Sequence, residues 1–220
     1  MRVRAAPLVA LLLSAGLIAA CGGGDDDGES EAAQVPPGCE QVEAPAPKDV
    51  ELKRPKGLES PSGGATATVD TSCGSFEIEL AAGTKTSASF AYLVEHGVYD
   101  GTAFHRIVPD FVIQGGDPLG DGTGGPGYFV DEPPPADTEY TRGTVAMAKS
   151  QVEPPGRSGS QFFVVVGADA GLPPDYAPLG KVSAGFGTVQ RIAQAGDASS
   201  GQTGTPRVPV TIDRITLERG

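Results

Sequence analysis

The sequence FHRIVPDFVIQGGD, from Phe104 to Asp117, and the sequence GSQFFVVV, from Gly159 to Val166, decide the fold of this chain. Between them lies GTVAMAKS, from Gly143 to Ser150. The first two are rich in the aromatic and β-branched residues that favour strands. Aromatic residues in such runs are most often core residues, and we expect this of Phe162, which alternates with Phe163 along a strand. A single arginine among them is, taken alone, a solvated surface charge.

The three segments, in this order, resemble the signature of the cyclophilins, a family of peptidyl-prolyl cis-trans isomerases. Agreement across several spaced motifs is more specific than any short pattern. The resemblance extends from about Ala67 to the C-terminus. It implies a mainly β fold, a closed eight-stranded antiparallel β-barrel capped by two α-helices, whose closure removes unpaired strand edges. It also implies an enzyme that acts on X-Pro bonds of polypeptides and needs no cofactor and no metal.

The chemistry of that reaction explains why these residue types matter. Rotation about a peptide bond has a barrier of about 18–20 kcal/mol, and the site must bind the twisted amide better than either planar form. An apolar pocket can hold the proline ring, while a fixed cation or donor near the prolyl carbonyl and nitrogen weakens the amide resonance. Arginine suits this role because it stays charged and presents a rigid fork of donors.

Carried over position by position, the resemblance makes Arg106 the catalytic residue. His105 beside it is expected to be structural, because the reaction moves no proton. The positions that bind substrate in the family correspond to Phe111, Val112, Gln114, Ala148, Lys149, Gln161, Phe163, Leu172 and Tyr176.

Four of the matched positions depart from the best-known cyclophilins. Val112 stands where many members carry methionine, Lys149 where many carry asparagine, and Tyr176 where they carry histidine. Gly171 falls where those members place a tryptophan, and this is the largest departure in the site. The contact made at Lys149 is expected to be mainly through backbone, so that change puts little in doubt.

The N-terminus predicts export independently of the family. Arg2 and Arg4 precede an apolar run that ends in Ile-Ala-Ala before Cys21, a layout typical of a signal peptide over residues 1–20. The four residues that end in Cys21 resemble a bacterial lipobox, in which the cysteine is lipidated; an ordinary signal peptide that happens to contain Cys21 is the alternative. The sequence therefore predicts a protein anchored through lipid to the outer face of the cell membrane.

Residues 21–65 are predicted to be a lipid-anchored acidic and Pro-rich linker, followed by an isomerase domain over residues 66–220. The stretch GGGDDDGESEAAQ after Cys21 has almost no apolar side chains and is expected to be a disordered spacer. The Pro-rich stretch from Val42 to Lys56 extends this stalk, where it can lie along the domain.

Charge and cysteine content limit the partners and the chemistry. The net charge of −12 becomes −14 once Arg2 and Arg4 are lost, which makes nucleic acid an implausible partner. With Cys21 lipidated, Cys39 and Cys73 remain as an even pair in an oxidising compartment, and we expect them to form a disulfide. Two histidines and no Cys-x-x-Cys motif make a zinc site unlikely. A monomer is the expected state.

The periodicity of the chain places a hairpin and two helices. Ala67 to Asp70 and Phe76 to Leu80 read as paired strands, because apolar and polar residues alternate along the second. Helices are predicted over Ser87 to His96 and Thr188 to Ala195, each with an apolar stripe and a glycine after it. Val210 to Leu217 reads as a final strand.

Two functions other than isomerisation remain open from the sequence. One is a proline-binding module or holdase whose catalysis is lost or incidental. The departures at Gly171 and Lys149 keep this alternative open. The other is an envelope lipoprotein that uses the barrel as a scaffold. Intact Arg106, Gln114 and Phe163 favour the isomerase.

Overall fold

Antiparallel strands dominate the structure, a computed structural model that describes residues 34–58 and 64–219. Cys21, the predicted signal peptide and all of the predicted acidic spacer except Gln34 lie outside these residues. The elements are β1 (Ala65–Thr71), β2 (Gly74–Leu80), α1 (Lys85–Glu95), β3 (Thr102–Ala103), β4 (Arg106–Val108), β5 (Val112–Gly115), β6 (Val130–Asp131), β7 (Thr144–Met147), β8 (Arg157–Ser158), β9 (Phe162–Val165), β10 (Pro178–Ala184), α2 (Phe186–Ala193), a 3-10 helix (Ala198–Thr203) and β11 (Thr211–Arg219).

Nine of the strands form one curled antiparallel sheet, and β6 pairs with β8 separately. Hydrogen-bonded neighbours follow the order β3-β11-β1-β2-β10-β7-β9-β5-β4. The two ends of the sheet, β3 and β4, are separated in the chain by Phe104 and His105 alone, and one antiparallel bridge joins Ala103 to Asp117 just beyond β5. The predicted mainly β architecture with two helices is confirmed. The count of eight strands is replaced by nine, because short segments next to the site pair as separate strands.

Alternation along the strands explains where the core lies. In β1 every second residue is buried, and in β2 Phe76, Ile78 and Leu80 face inward while Glu79 is exposed. The helices cover the sheet with the predicted stripes, which include the buried Phe90 and Ile192. Burial of each such side chain contributes about 1.5–3 kcal/mol.

Both helices begin two residues earlier than their periodicity predicts. The Oγ1 of Thr84 accepts a hydrogen bond from the backbone N–H of Ser87 at 3.0 Å, so α1 starts at Lys85. Such a cap satisfies one of the free N–H groups of the first turn. The end of α1 at Glu95, before Gly97, agrees closely with the prediction.

Residues 34–58, here called the strap, lie against the folded domain and do not extend freely from it. Val50, Leu52 and Leu58 pack on the main core. The backbone N–H of Glu40 donates to the carbonyl of Ser72 at 2.7 Å. A disulfide joins Cys39 of the strap to Cys73 in the turn between β1 and β2.

No helix in the part of the chain that the structure describes is both long enough and apolar enough to span a bilayer.

Candidate active site

A second apolar cluster, separate from the main core, forms a pocket on one face of the sheet. Its side chains come from β5, β7 and β9, which are neighbours in the sheet, and from the chain segments that flank these strands. The buried members are Val112, Tyr140, Ala146, Phe163 and Val165, and the half-buried members are Phe111, Ala148, Ala170, Leu172 and Tyr176.

Strand register brings the predicted apolar residues together. Phe163 on β9 lies opposite Gln114 on β5 and opposite Ala146 on β7. Val112 lies opposite Val165. Because Val112 is two residues from Gln114 along β5, both side chains lie on the same face of the sheet. Phe163 is 4% exposed, which leaves its ring at the floor of the pocket.

Three aromatic rings set the shape of the far wall. The Phe163 and Tyr176 ring centroids are 5.4 Å apart with an interplanar angle of 90°, an edge-to-face contact. The hydroxyl of Tyr140 donates to the carbonyl of Tyr176 at 2.6 Å and accepts from the N–H of Tyr176 at 3.0 Å. Tyr140 therefore holds the backbone of the loop on which Tyr176 is presented.

Arg106 stands at the rim of this pocket. Its guanidinium carbon is 5.7 Å from the centroid of the Phe111 ring. Nη1 donates to Oε1 of Gln114 at 3.3 Å, and Nε donates to the carbonyl of Gln202 at 3.0 Å. Partial burial lowers the pKa of Arg106 from its ordinary value, with Tyr176 acting in the opposite direction, and an arginine so placed stays charged at neutral pH.

The loop that carries Gln202 can approach Arg106 because Gly204 has no side chain. Gly204 has φ of +67°, and a Cβ there would lie 2.8 Å from Cγ of Arg106. Its carbonyl also accepts from the N–H of Ile107 at 2.7 Å. The close approach fixes the stem of Arg106, which leaves its guanidinium few rotamers.

A chain of amides continues from Arg106 across the floor. Nε2 of Gln114 donates to Oε1 of Gln161 at 3.1 Å. Nε2 of Gln161 donates in turn to the carbonyls of Gly122 and Gly124, each at 3.0 Å. Donation therefore runs from Arg106 through Gln114 and Gln161 to the carbonyls of the glycine-rich loop. Because those carbonyls can only accept, they fix the orientation of both amides and turn Oε1 of Gln114 toward the guanidinium.

His105 lies beneath this chain of amides. Its Nε2 is 3.4 Å from Nε2 of Gln114 and accepts from that amide when the imidazole is neutral. Burial lowers the pKa of His105 below its ordinary 6.5; Asp117 opposes this and Arg106 reinforces it. His105 is accordingly neutral at pH 7, which agrees with a structural role.

Lys149 and Ala148 border the pocket next to Gln161. The N–H of Ala148 donates to the carbonyl of Gln161 at 2.8 Å. The ammonium of Lys149 lies 5.4 Å from the centroid of the Tyr176 ring and donates to the carbonyl of Glu153 at 3.2 Å. The Lys149 side chain is thus turned along the rim, and the backbone remains the part that faces the pocket.

Gly171, at the position where the best-known cyclophilins carry a tryptophan, contributes no side chain to the wall of the pocket. It is exposed, with φ of +60°, and a Cβ there would meet nothing within 4 Å. Its neighbours Ala170 and Leu172 do pack on the pocket cluster. This side of the site is consequently open.

All the predicted binding residues within the described chain lie in or beside this one site, while two residues that shape it were missed. Tyr140 and Gln202 belong to no motif segment, and neither has a local sequence signal. Both reach the site only through tertiary contacts with Tyr176 and Arg106.

We expect Tyr140→Phe to lower the free energy of unfolding by about 1–3 kcal/mol, because it leaves the backbone polar groups of Tyr176 without their partner. The pocket wall should loosen as well, so KM for a proline peptide should rise. Chemical denaturation measures the first effect. Tyr92→Phe is the matched control, since the Tyr92 hydroxyl makes no hydrogen bond to any residue that the structure describes. Equal stability of the two variants would contradict the role given to Tyr140.

A family model described as "Cyclophilin type peptidyl-prolyl cis-trans isomerase/CLD" matches residues 66–217. This is more than half of the chain, and it contains every residue of the pocket described above.

The chain belongs to the cyclophilin family.

Named relatives agree with this assignment. The chain is 37% identical over 205 residues to the probable peptidyl-prolyl cis-trans isomerase B of Mycobacterium leprae (strain TN), covering 84% of this chain and 66% of that protein. It is 42% identical over 149 residues to the protein of the same description from Mycobacterium tuberculosis (strain CDC 1551 / Oshkosh), covering 60% and 47%. The chain thus spans about half to two thirds of the length of these mycobacterial cyclophilins.

The fold is shared with a solved cyclophilin. A crystal structure of a cyclophilin type isomerase from Cryptosporidium parvum, determined in the presence of the dipeptide Ala-Pro, is similar with a TM-score of 0.62 at 28% identity. The match covers 70% of this chain and 99% of that one.

Proposed function

We propose that this protein is a peptidyl-prolyl cis-trans isomerase that acts on X-Pro bonds of exported polypeptides and assists their folding. In this proposal it is held at the outer face of the cell membrane by lipid on Cys21. One observation carries the catalytic part: a charged Arg106, aligned by Gln114 and Gln202, stands over an apolar pocket floored by Phe163. The dipeptide of the Cryptosporidium parvum structure supports a proline-containing ligand for this pocket.

The proposed mechanism needs binding and electrostatics alone. The ring of the substrate proline enters between Phe111, Val112 and Phe163, which holds the part of the chain that follows the amide bond. The preceding residue lies along the backbone of Ala148 and can rotate. As the amide twists, its nitrogen regains a lone pair, and a donor from Arg106 stabilises that electron density more than it stabilises either planar form.

Fixed geometry makes Arg106 effective in this role. Gln114 and Gln202 together accept from all three nitrogens of the guanidinium, which leaves two of its five N–H donors for a substrate. Because the partners are already in place, little reorganisation accompanies the twist, and such preorganisation is the main source of electrostatic catalysis.

A protease-coupled assay with a proline-containing peptide tests the proposal against a binding module and a scaffold. An isomerase should increase the rate of the slow cis-to-trans phase in proportion to protein concentration; uncatalysed, that phase takes tens to hundreds of seconds. A holdase would bind the peptide without changing this rate, and a scaffold would do neither. The full-length Cys21→Ser chain is suitable, since it keeps the whole domain and cannot be lipidated.

The anchor has its own test, since it concerns residues outside the described part of the chain. If Cys21 is lipidated, the native protein should partition into detergent and incorporate labelled fatty acid, because several acyl chains anchor stably where one does not. Cys21→Ser should abolish both, and Cys39→Ser is the control that changes a different cysteine. Wild-type protein that stays in the aqueous phase without label would contradict the lipid anchor.

A further inference from the structure

A groove of about 660 Å³ continues from the proline pocket on the side of Gln114, Gln161 and Ala148. The glycine-rich loop from Gly122 to Tyr128 forms its base, and the turn that holds Lys149 and Glu153 forms one side. Asp49 and its strap neighbours Lys48 and Val50 also line the groove. These three residues precede the part of the chain that matches the family, which begins at residue 66. The wall therefore lies outside the segment that the family model matches.

The strap is held firmly where it borders the groove. The N–H of Lys48 donates to the carbonyl of Pro118 at 2.9 Å, and the N–H of Leu52 donates to the carbonyl of Pro126 at 2.8 Å. The two bonds fasten the strap to Pro118, just before the glycine-rich loop, and to Pro126 within it, with Asp49, Val50 and Glu51 between them. A segment anchored in this way can act as a wall, because moving it would leave several buried polar groups without partners.

The Lys48 side chain adds a third anchor. Its ammonium donates to the carbonyls of Val98 at 3.0 Å and Asp100 at 2.5 Å, beyond the end of α1. Desolvation lowers the pKa of Lys48, with Asp100 acting in the opposite direction. The positive charge of Lys48 is consequently engaged with these carbonyls, and it is not offered to a ligand in the groove.

On the strap side of the groove, the charged group that is available to a ligand is the carboxylate of Asp49. Asp49 is exposed, and in residues 34–58 and 64–219 the ion pairs within 4 Å join Arg157 to Asp131 and Arg219 to Glu95 only. On the facing side, Glu153 accepts from the N–H of Ser150 at 2.6 Å. Lys149, also on that side, is drawn toward the Tyr176 ring and the carbonyl of Glu153. Asp49 is thus a carboxylate on the groove wall that lacks a cationic partner in the described chain.

We propose that the strap forms part of the substrate-binding groove and that Asp49 selects basic over acidic side chains two and three residues before the substrate proline. This rests on the proposed isomerase function, since a peptide with proline in the pocket extends its N-terminal side past Ala148 into the groove. Exported polypeptides with lysine or arginine at these positions are the preferred class of substrate.

The test compares Asp49→Lys with Glu51→Lys in the full-length Cys21→Ser chain. Both residues are exposed acids on the strap, two positions apart, but Glu51 does not line the groove. Substrates are peptides with lysine, alanine or glutamate at the second and third positions before proline, together with a short peptide that has one residue before proline. The quantity measured is kcat/KM.

We expect the ratio of kcat/KM for the lysine peptide to that for the glutamate peptide to exceed one in the parent chain. Asp49→Lys should lower this ratio by about fivefold, a size set by the weak energy of exposed ion pairs, whereas Glu51→Lys should leave it nearly unchanged. The short peptide should be turned over equally by all three proteins. Equal ratios in the three proteins, or equal shifts in both variants, would overturn the proposal. Failure of every protein on every peptide, the short one included, would instead refute the isomerase function.

Discussion

Replacing Arg106 by alanine is expected to lower kcat/KM for a proline peptide about a hundredfold, as removal of one preorganised donor does in other electrostatic sites. The structure gives the reason: the guanidinium is the only cationic group among the described residues that stands over the Phe111 ring at the pocket rim. Stability should change by about 0.5 kcal/mol or less, because Arg106 is half-exposed and lies in no ion pair with the described residues.

Arg106→Lys separates charge from geometry. Lysine keeps the positive charge, but its single ammonium cannot donate to Gln114 and Gln202 and still present a fork to the substrate. We expect it to lose most of the rate as well. Arg214→Ala, at an exposed position on β11, is the control for loss of an arginine elsewhere on the domain. Turnover near that of the parent protein in Arg106→Ala would remove Arg106 from the mechanism.

The second large effect concerns the strap. The Cys39–Cys73 disulfide links residues 34 positions apart, and cross-linking a loop of this length stabilises by roughly 3–4 kcal/mol in chain-entropy terms. The double variant Cys39→Ser, Cys73→Ser should lose about this amount in denaturant unfolding. Reduction of the parent protein should have the same effect, because it removes the same constraint on the unfolded chain.

Thiol titration provides the chemical control for this prediction. In the Cys21→Ser chain, Cys39 and Cys73 are the two cysteines that remain, and denaturing, non-reducing conditions should reveal no reactive thiol. Two reactive thiols, or an unfolding midpoint that reduction does not change, would show that the bridge does not form.

The residues of the site could be predicted because their roles depend on local segments. Arg106 and Gln114 are eight residues apart, on strands β4 and β5 that pair directly, so one motif contains both and their register follows from it. Phe163 lies on the adjacent strand β9 and Gln161 directly before it, both within a second motif. The resemblance of these motifs to the cyclophilins was what indicated an apolar pocket beside an arginine.

Other parts of the site could not be predicted in this way. Tyr140 meets Tyr176 across 36 positions of sequence, and Gln202 meets Arg106 across 96. Tyr140 lies outside the helices and strands, and Gln202 lies in a short 3-10 helix. Neither belongs to a periodic sequence pattern that would distinguish it from a surface residue. Their roles arise only when the chain brings distant backbone groups within hydrogen-bonding distance.

The sequence by itself determined the family motifs, the alternating strands and the two helical stripes, since all of these depend on residues a few positions apart. Tertiary structure alone decided how the sheet curls, with nine strands and a single bridge from Ala103 to Asp117, because strand pairing is a long-range choice. It also decided the place of the strap. The composition of residues 34–58 is typical of a spacer. However, its few apolar side chains pack on the core of the folded domain, and the Lys48 ammonium donates to the carbonyl of Val98. These contacts can form only once the domain has folded.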